Sequence, residues 1–307
     1  MFQKVKCINY FCIVPYLLNA PTVLICSNSK TISNNVPQIF YGSMPIDDGH
    51  LILDSEDVEA LCKENIDNQR YIRKYVGGAE LIKNKERWCL WLVDASPREI
   101  NQSRIIKERV NMTLNFRKSS NRPQTRVLAE TPTLFGEIRQ PETEMLVIPK
   151  VSSENRRYIP ISYVAPEVIV NGSALIVPNA SMYHFGILTS NVHMSWMRTV
   201  AGRMKSDYQY SGSVVYNNFP WPSPTLEQKA EIEQTAQMIL DARTQHPDCS
   251  LADLYDETTM PPELRKAHQQ NDKAVMKAYG FSLKITESEC VAELMKMYQK
   301  LTEELKY

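Results

Sequence analysis

Val291, Leu294, Tyr298, Leu301 and Leu305 are spaced 3, 4, 3, 4 near the end of the chain. An α-helix turns every 3.6 residues and gathers that spacing onto one face, whereas a strand would scatter it over two. Thr286 and Glu289 form a capping-box pattern just ahead of the stripe. Pro261-Pro262 opens an earlier helix that Gly280 stops, and Ser223-Pro224 opens one with Ile232, Ala236, Ile239 and Leu240 as its apolar face. The last third is therefore expected to be a small helical bundle, packed mainly against itself.

The middle of the chain follows another period. Residues 145–148, 158–162, 168–170 and 174–177 are short runs rich in Val and Ile, the signature of strands. Asn171-Gly172-Ser173 lies between the last two and predicts a hairpin, because Asn-Gly supplies positive φ. Residues 88–93 form a compact apolar run, 99–118 and 184–201 read as helical, and Ser55 is placed to cap a helix over 56–64. The fold class is α+β: a β-rich domain with embedded helices over 44–222, then helices over 223–307. Residues 1–43 form an irregular leading segment with a strand-like stretch at Thr22-Val23-Leu24-Ile25 and no evident partner of its own. Exposed apolar surface is expected over residues 16–25.

Lys+Arg and Asp+Glu both number 35 in 307 residues, which excludes a uniformly basic polyanion binder. The balance conceals an asymmetry. From Arg98 to Arg126, eight basic residues face only Glu99 and Glu108, whereas from Leu226 onward ten Lys/Arg face fifteen Asp/Glu. A basic middle and an acidic tail suggest one surface for a polyanion and another for water or protein. The seven cysteines are odd in number, and none shows C-x-x-C spacing. With only five histidines no metal cluster is legible, and a reducing, cytoplasmic setting is expected. Lys4 and Lys6 before residues 7–20 loosely imitate a signal peptide, but Asn9, Pro15 and Asn19 interrupt the apolar run. No run reaches the roughly 18 apolar residues of a membrane span, so no membrane partner is expected.

Residues 202–222 carry the most chemistry. Gly202-Arg203-Met204-Lys205-Ser206-Asp207-Tyr208-Gln209-Tyr210-Ser211 is polar and basic with two tyrosines, and Val214-Val215-Tyr216-Asn217-Asn218-Phe219-Pro220-Trp221-Pro222 follows. On an extended strand Lys205 and Asp207 would share a face. A lysine can donate to the guanine edge of a G·C pair, and an aspartate can accept from the cytosine amine. Arg203 and Arg198 could hold phosphates. From spacing alone, a solvated ion pair between Lys205 and Asp207 is the plainer account.

The whole stretch resembles the end of the target-recognition domain of MmeI-like (Type IIL) restriction–modification proteins, which fuse an endonuclease, an adenine methyltransferase and a recognition domain. Other motifs resemble the family in order: Asn19-Ala20-Pro21 with Pro45-Ile46-Asp47-Asp48-Gly49; Arg117-Lys118-Ser119-Ser120 with Thr125-Arg126; Ile138-Arg139-Gln140-Pro141; Ser152, Glu154, Arg156, Arg157 and Tyr158; and Phe185-Gly186-Ile187-Leu188 with His193 and Trp196. The similarity covers roughly residues 14–305. It implies that Lys205 and Asp207 read the base pair beside the target adenine, with guanine on the methylated strand. It implies double-stranded DNA as the partner, with Arg117, Lys118, Arg122, Arg126, Arg156, Arg157, Arg198 and Arg203 as candidates for the DNA backbone.

The same resemblance exposes what the sequence lacks. An amino-methyltransferase needs a pocket for S-adenosylmethionine and an Asn/Asp/Ser-Pro-Pro-aromatic loop for the flipped base. Pro261-Pro262 is preceded by Met260 and followed by Glu263, and no Gly-rich turn follows a strand at suitable spacing. No catalytic, cofactor-binding or metal residue is assigned, and S-adenosylmethionine is expected in a methyltransferase core outside this chain. Residues 1–13 fit the family poorly, in keeping with a truncated or split fragment that is inactive by itself. Two other readings stay open. The chain could be one subunit of a split, active methyltransferase whose core is a separate chain, or a non-enzymatic protein that pairs through the 291–305 stripe.

Overall fold

The computed structural model describes residues 23–304. In chain order the elements are β1 (Phe40–Tyr41), β2 (Ile52–Leu53), α1 (Ser55–Glu64), β3 (Ile72–Val76), α2 (Gly78–Lys83), β4 (Trp88–Leu90), α3 (Pro97–Gln102), α4 (Arg104–Ser119) and α5 (Pro123–Val127). Then come β5 (Met145–Pro149), β6 (Val151–Ser152), β7 (Ser162–Val164), β8 (Ile169–Val170), β9 (Ala174–Pro178), α6 (Met182–Leu188) and α7 (Asn191–Val200). β10 (Gly202–Met204), β11 (Asp207–Gln209), α8 (Leu226–Thr244), α9 (Leu251–Leu254), α10 (Pro262–Ala278) and α11 (Glu287–Glu304) complete the chain. The architecture is α+β. Among the described residues, no helix is long and apolar enough to cross a membrane.

Two compact units share the chain, and neither is continuous. One holds Phe40–Pro149 and Ser162–Pro178; the other holds the described residues of Met1–Ile39, Lys150–Ile161 and Asn179–Tyr307. The two-segment unit contains two sheets, in the orders β1-β9-β5-β7 and β2-β4-β3-β8. Every residue of β5 is buried, which is why its sequence is an unbroken apolar run rather than an alternation. Leu51, Leu61, Leu90, Ile106 and Ile169 fill one core cluster, and Val147, Val170 and Ile176 belong to another.

Several local expectations change here. Asn171-Gly172 does not close a hairpin: β8 pairs in parallel with β3, while β9 lies antiparallel to β5 and β1. The turn is made by the Asn171 side chain, whose Oδ1 accepts from the Ser173 amide at 2.8 Å and the Ser173 hydroxyl at 2.6 Å. The cap of α1 is Asp54, whose Oδ1 accepts from the Asp57 amide at 2.9 Å; Ser55 is the first helical residue. The helical stretch over 99–118 breaks at Ser103, which is buried and caps α4.

Arg117 departs furthest from expectation. Read from sequence as a contact to the DNA backbone, it is fully buried on α4. Its guanidinium donates to the carbonyls of Ile46, Leu128, Thr131, Pro45 and Leu134 at 2.7–2.9 Å, so all five N–H groups are engaged. The Pro45–Gly49 motif is the other half of this clamp. Buried Asp47 accepts from the amides of Gly49 at 3.1 Å and Leu51 at 2.5 Å, which folds the segment so that two of its carbonyls meet Arg117. Burial pushes the Arg117 pKa down, and the nearby Asp47 charge opposes that.

In the three-segment unit the helical stretch expected over 184–201 breaks at Thr189-Ser190 into α6 and α7, with Ser190 capping α7, while the tail is helical as expected. The Ile232, Ala236 and Ile239 stripe of α8 is buried, although Thr225 rather than Ser223 caps the helix. Helix α10 begins at Pro262 and is followed by Gly280 at φ +70°. The Thr286–Glu289 capping box is formed, and Val291, Leu294 and Tyr298 are buried, while Leu305 lies outside the described residues. Between the helices runs a buried polar chain. Arg243 donates to the Tyr255 hydroxyl, which lies 2.8 Å from His268 Nε2; His268 stacks on Tyr158 at 4.1 Å, and the Tyr158 hydroxyl donates to Asp272 at 2.7 Å. The Asn191 amide also donates to Asp272, at 2.8 Å. Burial nevertheless raises the Asp272 carboxyl to about 6.

The leading segment has a partner after all. Val23 and Ile25 are buried, contrary to the exposed surface expected there, and only Leu24 is open. Residues 16–22 and the signal-like stretch over 4–20 lie outside the described residues. Asn218, fully buried, donates to the carbonyls of Cys26, Ser213 and Val214 and accepts from Asn28 Nδ2 at 2.6 Å. Asn217 donates to the Asn28 carbonyl, Ser33 bridges the Phe219 carbonyl and the Trp221 amide, and the Tyr216 hydroxyl donates to the Pro37 carbonyl. The Asn-Asn-Phe-Pro-Trp motif is thus a clasp that holds residues 26–37.

Candidate nucleic-acid interface

The segment singled out from sequence forms an antiparallel hairpin. β10 pairs with β11 in the register Gly202↔Gln209, Arg203↔Tyr208 and Met204↔Asp207, leaving Lys205-Ser206 as a two-residue turn. β11 continues the sheet onto β6, with Tyr208 opposite Ser152. Its base is anchored where the Tyr210 amide donates to the Lys150 carbonyl at 2.7 Å, and the Tyr210 hydroxyl lies 2.9 Å from His193 Nε2. His193 is fully buried, and burial lowers its pKa to about 3, so the imidazole is neutral. Its role is structural, set edge-on against Phe219 at 4.5 Å.

Lys205 sits at the tip, not on a strand, and its backbone is left-handed at φ +56°. Such a conformation costs an L-residue about 1 kcal/mol, which is why glycine is usual at the first position of such turns. Strand alternation therefore does not place Lys205 and Asp207 on one face; a reversal of the chain between them brings them to one end of the hairpin. Lys205 is exposed and Asp207 half-exposed. Among the described residues, no ion pair within 4.0 Å joins them, so neither charge is cancelled by the other. Arg156 lies close enough for its charge to feel Asp207.

Arg203 is held by its own hairpin. Its guanidinium carbon stands 3.8 Å over the Tyr208 ring, Nη1 donates to the Ser206 carbonyl at 2.8 Å, and Nη1 is 3.8 Å from Glu154 Oε2. Arg156, Arg157 and Arg198 come together around a cavity of about 480 Å³ that Glu154, Glu257 and Glu287 also line. Arg198 is partly engaged, donating to the Arg157 carbonyl at 2.9 Å and pairing with Glu287 at 3.3 Å. Lys118, Arg122 and Arg126 are exposed on the two-segment unit. In the same stretch Arg109 is taken up by the His50 and Ile52 carbonyls and by Asp57. Tyr208, Glu154 and Asn218 were visible in sequence only as members of motifs, with no role assigned to each. The roles of Tyr208 and Glu154 become visible only once the turn at Lys205-Ser206 fixes the register, and that of Asn218 once its contacts to Cys26 and Asn28 are seen.

The site therefore comprises an exposed hairpin with a donor and an acceptor at its end, and an arginine-lined cavity beside its third strand. The chain belongs to the MmeI family: residues 19–223 match the MmeI target recognition domain, and residues 225–306 match the MmeI C-terminal domain. DNA methyltransferase A of Bacillus subtilis (strain 168) is 36% identical over 291 residues, which is 95% of this chain and 33% of that protein. The Type IIL restriction-modification enzyme MmeI, solved in complex with DNA, superposes with a TM-score of 0.89 at 43% identity, covering 92% of this chain and 37% of that one. The chain therefore spans about a third of the length of each relative.

Proposed function

We propose that this chain reads a specific duplex DNA sequence on behalf of an adenine-specific DNA methyltransferase in a cytoplasmic restriction–modification system, with Lys205 and Asp207 reading the base pair that follows the target adenine. The observation that carries this reading is the hairpin end, where a lysine donor and an aspartate acceptor are presented without neutralising each other. Lysine donates to guanine O6/N7, aspartate accepts from the paired cytosine amine, and the site is read as adenine-guanine. Lys118, Arg122 and Arg126 on one unit, and Arg156, Arg157 and Arg198 on the other, supply phosphate contacts that position the protein without specifying sequence.

S-adenosylmethionine and the methyl transfer belong to a part of the longer relatives that this chain does not span. The residues present do not fit the cofactor's reaction: the sequence's one Pro-Pro pair starts α10, so it cannot offer a polar-Pro-Pro-aromatic loop to a flipped base. By itself the chain binds and does not methylate.

The test is selection from a pool of randomised 20–30-base-pair duplexes, followed by sequencing of the retained fraction. The chain should enrich a motif ending in adenine-guanine, and binding should fall steeply with salt because phosphate contacts dominate affinity. Lys205→Glu combined with Asp207→Arg should move the last position toward cytosine while retaining binding. Enrichment of another base after the adenine, or no change in the double variant, would remove Lys205 and Asp207 from the reading role.

A further inference from the structure

We propose that Arg203 is a positioning residue for the reading turn and not a contact to the DNA backbone; this inference rests on the assignment of Lys205 and Asp207 as base readers. Hairpins with three-residue strands and two-residue turns are marginal alone, and this one carries a lysine with left-handed backbone at its tip. Something must hold the turn in a single geometry, and Arg203 has the geometry to do so. It lies directly across from Tyr208 in the register. Its planar guanidinium covers the tyrosine ring at 3.8 Å and donates across the turn to the Ser206 carbonyl at 2.8 Å. Glu154, two residues past β6, lies 3.8 Å from the same Nη1. The ring beneath is itself fixed: Tyr208 is 7% exposed and pairs with Ser152 on the third strand. Ring face, peptide carbonyl and carboxylate therefore converge on one guanidinium and tie the turn to both neighbouring strands.

The chemistry separates this role from the alternative. A phosphate contact rests chiefly on positive charge, which lysine retains, and its loss weakens every duplex alike. Stacking while donating in plane needs the flat fork of arginine, which an ammonium cannot replace. Arg203→Lys keeps the charge and removes the staple, whereas Arg203→Gln removes both.

The experiment compares the 307-residue chain with Arg203→Lys, Arg203→Gln, Tyr208→Leu and Lys205→Ala, using the best duplex from the selection above and its guanine-to-cytosine counterpart. Arg203→Lys should reduce the preference for guanine at least tenfold, leave the slope of log affinity against log salt unchanged, and speed amide exchange at Ser206 and Asp207 at least tenfold. Tyr208→Leu should reproduce these effects, and combining it with Arg203→Lys should add little. The proposal is overturned if Arg203→Lys behaves as the parent while Arg203→Gln weakens both duplexes equally and lowers the salt slope by about one. Lys205→Ala separates the two readings. If it leaves the guanine preference intact, the base-reading assignment fails and the staple is judged on amide exchange alone, where a parent-like Arg203→Lys refutes it.

Discussion

Replacing Arg117 by Met is the sharpest probe of the two-segment unit. Methionine matches the aliphatic stem and stops short of the guanidinium, so the substitution keeps the stem's packing and removes the five donated hydrogen bonds. Not every carbonyl is then orphaned. Pro45, Leu128 and Thr131 keep the amides of Gly136, Thr131 and Leu134 as partners at 2.9–3.2 Å. The carbonyls of Ile46 and Leu134 lose the partner that Arg117 provides. An unsatisfied buried acceptor costs about 1–3 kcal/mol, and because Ile46 and Leu134 are partly buried the two together cost about 2–3 kcal/mol. With a urea dependence of about 2 kcal/mol per molar, the unfolding midpoint should fall by roughly 1–1.5 M. Native-state hydrogen exchange places the loss: amides of α4 and of residues 128–134 should lose protection. A midpoint shift below about 0.5 M, with protection unchanged, would refute the argument that the guanidinium organises this unit.

Two further predictions concern the three-segment unit. Asp272 has its folded pKa raised from 3.8 to about 6, chiefly by burial, so its contribution to stability is complete below pH ~4 and is lost as pH rises through 6. Over that window the parent should lose on the order of 3 kcal/mol relative to Asp272→Asn, which lacks the titration; parallel pH profiles in denaturant titrations would count against it. Asn218→Ala should cost about 2–4 kcal/mol by removing the hydrogen bonds it makes to Asn28 and to the Cys26, Ser213 and Val214 carbonyls, and limited proteolysis should cut first between Ser27 and Asn35. An unchanged cleavage pattern would show that the clasp does not secure that segment.

What the sequence reveals depends on how far apart the interacting groups are. The tail was legible because its stripes and capping boxes lie within a few residues, as Thr286 and Glu289 do. Asn171-Gly172 misled because a turn dipeptide says that the chain bends, not which strands then pair; β8 and β9 leave the turn for different sheets. Lys205-Ser206 is the converse case, a tight turn without the usual turn residues, so the hairpin was invisible although its chemistry was not. Arg117 was read by its charge, and its burial is set by carbonyls up to 72 positions away. The family motifs at 45–49 and 217–221 were visible as patterns, and their physical work, clamping an arginine and clasping the leading segment, required coordinates.

The clasp has a consequence for the order in which the molecule can be made. Asn28 and Asn218 are 190 positions apart. At about 5–20 residues per second, roughly 10–40 s separate their emergence from the ribosome. The Phe40–Pro149 and Ser162–Pro178 unit is complete before Asn218 is synthesised, while Cys26 and Asn28 still lack the contacts that Asn218 makes to them. Vectorial synthesis therefore favours finishing the two-segment unit first, with the reading hairpin and its helices closing last over a segment that has been waiting since the start. Pulse-labelled chains stalled near residue 215 should show the 26–37 stretch open to protease and the Phe40–Pro149 and Ser162–Pro178 unit already resistant.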